Sequence, residues 1–336
     1  MLIDRWLIKK EGNSMFLDTF IENASESNMD LADAQLECAV SLEAAYNDVM
    51  LEMCQLKYQA MVEGVSVIHE GVIETIKNFF KKLFNAIKKF FGISSGDEAS
   101  SQNIDKLKKQ LDNNNRIAKG IKFIMNNPEL SKRFTFIDYE NAIIADSIIN
   151  DEYLHFALEK AEKTLSKLQE EFKKNSHITI NSDEIALDTL RTFLKVSLGN
   201  KIDVEKINSL DDFKKALYDH ISYISLNDLF GKINLDTLKD TDHVIRAHLD
   251  KLGQEVDKAY KYEKTVEKQM QRFEDDITMK GDLYFPQFPS VISKIANILA
   301  QACIISATYT RKITDKFYRE ILKLISAAMT ADVKED

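Results

Sequence analysis

From Ile245 to Ile277 apolar residues return in alternating steps of four and three: Ile245, Leu249, Leu252, Val256, Ala259, then Val266, Met270, Phe273 and Ile277. The rhythm runs for more than four heptads, and only Glu263 interrupts it. A period near 3.5 residues lines these side chains along one seam of a helix, whereas a strand alternates every second residue. The segment predicts one long helix. Its seam fits two uses: packing inside the chain's own bundle, or an oligomer seam made by Ile245, Leu249, Leu252, Val256, Val266, Met270, Phe273 and Ile277. Residues 279–290, which hold Pro286 and Pro289, read as a turn, and a second long helix follows from Val291 to Met329. Residues 236–330 are therefore expected to form a helical hairpin.

Punctuation is scarce everywhere else. Ten glycines and three prolines serve 336 residues, far fewer than the turns of a sheet protein require. The fold class expected is all-α: long helices in an extended helical bundle with a C-terminal antiparallel helical hairpin or coiled coil. Apolar residues make up 44% of the chain, enough to build a core. A net charge of −9 argues against nucleic acid as a partner, because phosphate contacts need a basic face. Cys38, Cys54 and Cys303 have no CxxC spacing and read as buried, reduced thiols. Residues 291–309 are rich in Ile and Ala, but Lys294, Asn297 and Gln301 interrupt them, so a buried helix is expected there in preference to a membrane span.

Residues 15–93 carry the strongest local signal. Leu31, Ala34, Cys38, Leu42, Ala45, Val49, Met53, Leu56 and Ala60 advance with the period of an α-helix. Ten acids face a single Lys57 between residues 15 and 64, a net charge of −9. The next segment inverts that charge. Residues 72–92 contain five lysines and one glutamate, a net +4, around a broad apolar face. Ile76, Phe79, Phe80, Leu83, Phe84, Ile87, Phe90 and Phe91 form the face, flanked by Lys77, Lys81, Lys82, Lys88 and Lys89. Such a helix suits the boundary between lipid headgroups and acyl chains, a packed core with its lysine stems along apolar neighbours, or the groove of a partner. Acidic and basic helices in succession also suit an antiparallel hairpin in which acid masks base.

Other segments organise the chain without declaring chemistry. Residues 1–14 read as a translated leader: Lys9-Lys10-Glu11-Gly12 can be encoded by a purine run resembling a ribosome-binding site, two codons before Met15. Met1–Lys10 lacks the apolar run of a signal peptide, so synthesis in the cytoplasm is expected. Residues 94–103 form a Ser/Gly linker, residues 104–235 a helical domain, and residues 236–330 the hairpin. Within the middle segment, one helix is expected from Ile104 to the approach of Pro128 and another from about Asn150 to Lys174. His177–Ile180 is expected to be a short extended piece, and a helix capped at Asn181 or Ser182 should end near Gly199. Glu152-Tyr153-Leu154-His155 is an ExxH, and Asp240-Thr241-Asp242-His243 a DxxH. Both read as ordinary helix surface, because a di-iron bundle also needs bridging carboxylates on two further helices. No phosphate loop, nucleophile elbow or HExxH is present, and no catalytic, metal or cofactor residue is assigned.

The run Met15-Phe16-Leu17-Asp18-Thr19-Phe20-Ile21-Glu22-Asn23, followed by the lysine–phenylalanine helix Ile76–Phe91, resembles the N-terminal parts of helical virion proteins of tailed bacteriophages. The likeness is greatest to phages with contractile tails that infect Gram-positive hosts, and it covers about a quarter of the chain. It implies a non-enzymatic structural or internal virion protein. The partners implied are other virion proteins, further copies of itself or an anionic membrane, with no small-molecule substrate. Two rival roles fit the same residues, a cytosolic coiled-coil assembly protein and an α-helical membrane-permeabilising protein.

Overall fold

The computed structural model describes residues 34–56 apart from 35, then 68–93, 100–112, 115–143, 148, 150–231, 238–280 and 285–331. Residues 1–14, read above as a leader, the opening of the acidic segment and the Ser/Gly stretch at 94–99 lie outside the described residues.

The fold is all-α. Helix α1 covers 36–56, α2 Ile68–Ile93, α3 Ser101–Asp112, α4 Asn115–Asn126 and the one-turn α5 Pro128–Ser131. After them come α6 (Asp151–Lys174), α7 (Ser182–Leu198), α8 (Leu210–Asp219) and α9 (Leu226–Phe230). The chain closes with α10 (Leu238–Met279) and α11 (Phe288–Thr330). Among the described residues the strands are β1 (Thr135–Ile137) and β2 (Tyr223–Ser225), paired antiparallel with Phe136 opposite Ile224. Helix starts are marked by short polar side chains that accept orphan backbone N–H groups: Asn127, Asn150, Asn181, Ser209 and Ser225. Gly199 and Gly231 end α7 and α9 with φ of 57° and 63°, a conformation that suits glycine.

Helices α10 and α11 make the expected antiparallel hairpin and run the length of the molecule. Their 42 and 43 residues span roughly 63 Å at 1.5 Å per residue. Pro289 sits in the first turn of α11, where a missing N–H costs nothing. Two apolar cores lie along the hairpin. The first packs α1, α2, α6, α7 and α8 around Tyr262–Ile277 of α10 and Phe288–Ile313 of α11. The second packs α3, α4, β1 and α9 around Ile245–Leu252 and Phe317–Ala328. These cores cut across the segments read from the sequence, because α11 is a wall of both.

A buried polar belt lies where the first core gives way to the second. It comprises Thr308, Thr310, Arg311, Thr314 and Asp315 on α11, with Glu255 on α10. The hydroxyls of Thr308 and Thr314 donate to the carbonyls of Ile304 and Thr310 one turn back, which satisfies them without leaving the helix. At the far end α4 lies backbone to backbone on α11. Gly120 rests against the Ala328 carbonyl, where a Cβ would collide with main chain.

Three sequence expectations change. The helix expected from Ile104 to Pro128 is two helices, α3 and α4; the six-residue step from Leu111 to Ile117 breaks the three–four rhythm there. His177–Ile180 joins no ladder, and the strands that form are at 135–137 and 223–225. Cys38 and Cys303 are buried, but Cys54 is exposed, because the stripe of α1 that packs inward passes through Met53 instead.

Candidate functional site: a latched amphipathic hairpin

Helix α2 lays its apolar face into the first core. Ile76, Phe79, Phe80, Leu83, Ile87, Phe90 and Phe91 are buried, and Phe84 is half-buried. The rings interlock edge to face: Phe79 with Phe80 at 5.5 Å, Phe80 with Phe273 of α10 at 6.3 Å, and Phe90 with Phe91 at 5.1 Å. Thr75 is buried with them, its hydroxyl donating to the Gly71 carbonyl at 2.8 Å.

The lysines stay at the surface and find acids on two neighbours. Lys82 pairs with Asp48 at 2.6 Å and Lys89 with Glu37 at 2.9 Å, both on α1, while Lys88 pairs with Glu267 of α10 at 2.7 Å. The neighbouring carboxylate of Glu267 raises the Lys88 pKa. Lys77 and Lys81 are exposed. Lys77 opposes the effect of burial on Glu274 of α10, whose pKa is raised by burial and by Asp275.

Helix α1 runs antiparallel to α2, the arrangement that the change of charge suits. The register follows from Glu37 opposite Lys89, Cys38 opposite Ala86, Asp48 opposite Lys82, and Leu56 against Gly71. The Cys38 thiol donates to the Ala86 carbonyl at 3.4 Å, and burial pushes its pKa up to about 12, which keeps it protonated at neutral pH. Acid does mask base, through pairs with about half of each side chain in solvent. Such pairs contribute on the order of 0.2–1 kcal/mol each. Burial of seven large apolar side chains, at about 1.5–3 kcal/mol each, contributes on the order of 10–20 kcal/mol. The apolar face holds α2 in place, and the ion pairs set its register.

The seam residues of α10 are also buried or half-buried inside the chain. Ile245, Leu249 and Leu252 belong to the second core, with Val256 packed at its edge. Val266, Met270, Phe273 and Ile277 belong to the first. In this fold the coiled-coil rhythm is satisfied by α11 and its neighbours. Glu152, His155 and His243 are exposed, and among the described residues no group of three or more His, Cys, Asp or Glu is placed to hold a metal ion. A cleft of about 180 Å³ lies between α6 and α7, lined by Ala157, Lys160, Thr164, Glu184, Asp188 and Thr192.

Sequence reasoning missed two features. One is the polar belt of α11, hidden within a run of Ile, Ala and Thr. The other is a second apolar stripe on α1 that faces solvent: Leu36, Val40 and Leu51 are more than half exposed. Its signal was present in the steps of four, four, seven and three from Leu36 through Val40, Ala44 and Leu51 to Cys54, but was overshadowed by the inward stripe. No family model, no curated protein and no solved structure matches the chain.

Proposed function

We propose that this is a non-enzymatic helical structural or internal protein of a bacteriophage particle, in which α2 is a membrane-active helix held in reserve. One observation carries the reading: a basic helix with four buried phenylalanines lies in the outer wall of the bundle, with α1 clipped across it by reversible surface ion pairs. The energetics set a condition on release. Exposing the apolar face of α2 to water would cost as much as a typical domain's whole stability, so α2 leaves the core only when another apolar phase receives it. A lipid surface is such a phase. Each lysine near anionic headgroups adds about 1 kcal/mol.

The test is co-sedimentation of the full chain with anionic and neutral vesicles. Neutralising the clip with Glu37→Gln and Asp48→Asn should raise affinity for anionic vesicles about 2- to 30-fold, the range set by two surface pairs. In an Ala86→Cys variant, where the new thiol stands against Cys38, oxidation should abolish binding and reduction restore it. Vesicle binding that ignores both changes, or no binding by any form, would overturn the membrane role.

A further inference from the structure

Helices α6 and α7 do not close on each other along their whole length. Where they pass, the inner positions are small, Ala157 and Ala161 on α6 and Thr189 on α7, and the gap between them is the cleft of about 180 Å³. Its walls carry one ammonium group, on Lys160, and two carboxylates, on Glu184 and Asp188. Charges next to the cleft are already matched: Lys163 pairs with Glu159 at 2.6 Å, and Lys294 with Asp183. The three inside it are not. Lys160 donates to the Thr192 hydroxyl at 3.1 Å, and the Glu184 carboxylate accepts from the Asn181 amide at 3.3 Å. Among the described residues neither of these side chains, nor Asp188, forms an ion pair.

The groups are also sorted along the cleft. The Lys160–Thr192 contact fixes the register of the two antiparallel helices. One turn beyond that pair, on the same faces, stand Phe156 and Val196, which are 48% and 37% exposed. One turn the other way come Thr164 and Asp188, and then Glu184. From end to end the cleft thus presents an apolar mouth, a cation and two carboxylates, at intervals of roughly 6 Å for four residues of helix. A matching ligand carries an apolar part, an anion and an ammonium group in line. An α-amino acid does not, because its side chain, carboxylate and ammonium group branch from one carbon. A phosphodiester of ethanolamine does.

We propose that the α6–α7 cleft binds a phosphodiester of ethanolamine, free or as the head of a phospholipid, with the phosphate on Lys160 and the ammonium group on Asp188 and Glu184. Both contacts are charge-assisted hydrogen bonds. The hydroxyls of Thr164 and Thr192 donate to the carbonyls of Lys160 and Asp188, which leaves their oxygens able to accept from the ammonium group as well. Choline has no N–H to offer these acceptors, and no aromatic ring lines the cleft to hold it by cation–π attraction. Ethanolamine is therefore preferred. As a lipid site the cleft rests on the membrane reading and deepens it, by naming the head group that the protein selects once α2 is inserted.

Calorimetric titration of the full chain with glycerophosphoethanolamine tests the site without a membrane, so its failure is distinguishable from failure of the α2 mechanism. Binding should saturate at one ligand per chain, and glycerophosphate, ethanolamine and glycerophosphocholine should each bind about tenfold more weakly or not at all. Lys160→Met and Asp188→Asn should each weaken binding about tenfold, while Lys163→Met, outside the cleft, should bind as the parent does. All three positions are exposed, so far-UV circular dichroism should be unchanged. The oxidised Ala86→Cys variant, with α2 held down, should still bind the ester. No saturable binding, equal binding of the ester and its separate halves, or indifference to both cleft substitutions would overturn the proposal. Sedimentation with anionic vesicles, with and without phosphatidylethanolamine, then separates the two sources. Retention raised by the amino lipid in the parent but not in Asp188→Asn identifies the lipid head, and equal retention identifies the soluble ester.

Discussion

Helices α11 and α2 are both rich in large apolar residues, yet the fold treats them in opposite ways. Helix α11 is long and apolar enough by length and composition to cross a membrane, but 72% of its most apolar window is buried within the protein. It is covered by α2, α4, α7, α8, α10 and β1, on nearly every side. Helix α2 is covered on one face, by α1, α10 and α11, and its lysines line the other. Apolar content alone therefore does not say whether a helix can leave a bundle. The number of sides that are covered does. Removing α11 would dismantle both cores, whereas removing α2 would open one wall of one core.

The largest expected effect tests that difference directly. Phe317 of α11 lies with Tyr139 at 5.3 Å, His248 at 5.6 Å and Phe136 at 6.3 Å, and is fully buried. Phe317→Ala should cost about 3–5 kcal/mol in urea unfolding. Native-state hydrogen exchange should show protection falling together in α4, α10 and α11. Phe80→Ala removes an equally buried ring from α2, and its loss of protection should begin in α1 and α2. The same exchange pattern for both variants would erase the distinction between wall and axis.

A smaller effect sharpens the account of the clip. Lys82→Glu with Lys89→Glu turns two attractions into repulsions with Asp48 and Glu37 and should lower α1–α2 protection by about 1–2 kcal/mol. The amides of α11 should be unaffected. A loss spread evenly through the protein would mean that α1 and α2 do not open as a unit.

The smallest effect lies on α11 itself. Glu320 accepts the Ile137 N–H at 3.0 Å and ties β1 to the axis. Burial raises its pKa above the ordinary 4.5, opposed by that N–H and by Lys316 and Lys323. The folded carboxyl thus holds its proton more tightly than the unfolded one. Its contribution to stability falls as pH rises from about 4.5 through the raised value. Glu320→Gln can still accept the N–H and does not titrate, so the Tm of the variant minus that of the parent should grow with pH across this window and then level off. A difference that ignores pH would show that Glu320 stays solvated.

Much of this architecture was legible in the residues. The Ile245–Ile277 rhythm, the Pro286–Pro289 turn and the Ile/Ala-rich run after it placed the hairpin to within a few residues. The change of charge from 15–64 to 72–92 suited an antiparallel α1–α2 hairpin, and two acid–base pairs, Asp48–Lys82 and Glu37–Lys89, form across it. Elements with weak local signals were not legible. Phe136 and Ile224, opposite each other in β1 and β2, lie 88 positions apart and pair only because the bundle brings them together. The division of α3 from α4 lay in one six-residue step, from Leu111 to Ile117, across an aspartate and three asparagines of poor helix propensity.

Periodicity and charge, which are properties of neighbours along the chain, determined that this protein is helical, where its long helices run, and that α2 has one apolar and one basic face. They could not determine what covers each face. A stripe such as Ile76–Phe91 or Ile245–Ile277 reads the same whether its partner is lipid, a second copy or another part of the chain. Only the tertiary structure decided that both stripes are closed by α11 and its neighbours, and that the outer stripe of α1 is left to solvent. The physical reason is that burial is a contact between surfaces far apart in sequence, and no local pattern records which surface arrives.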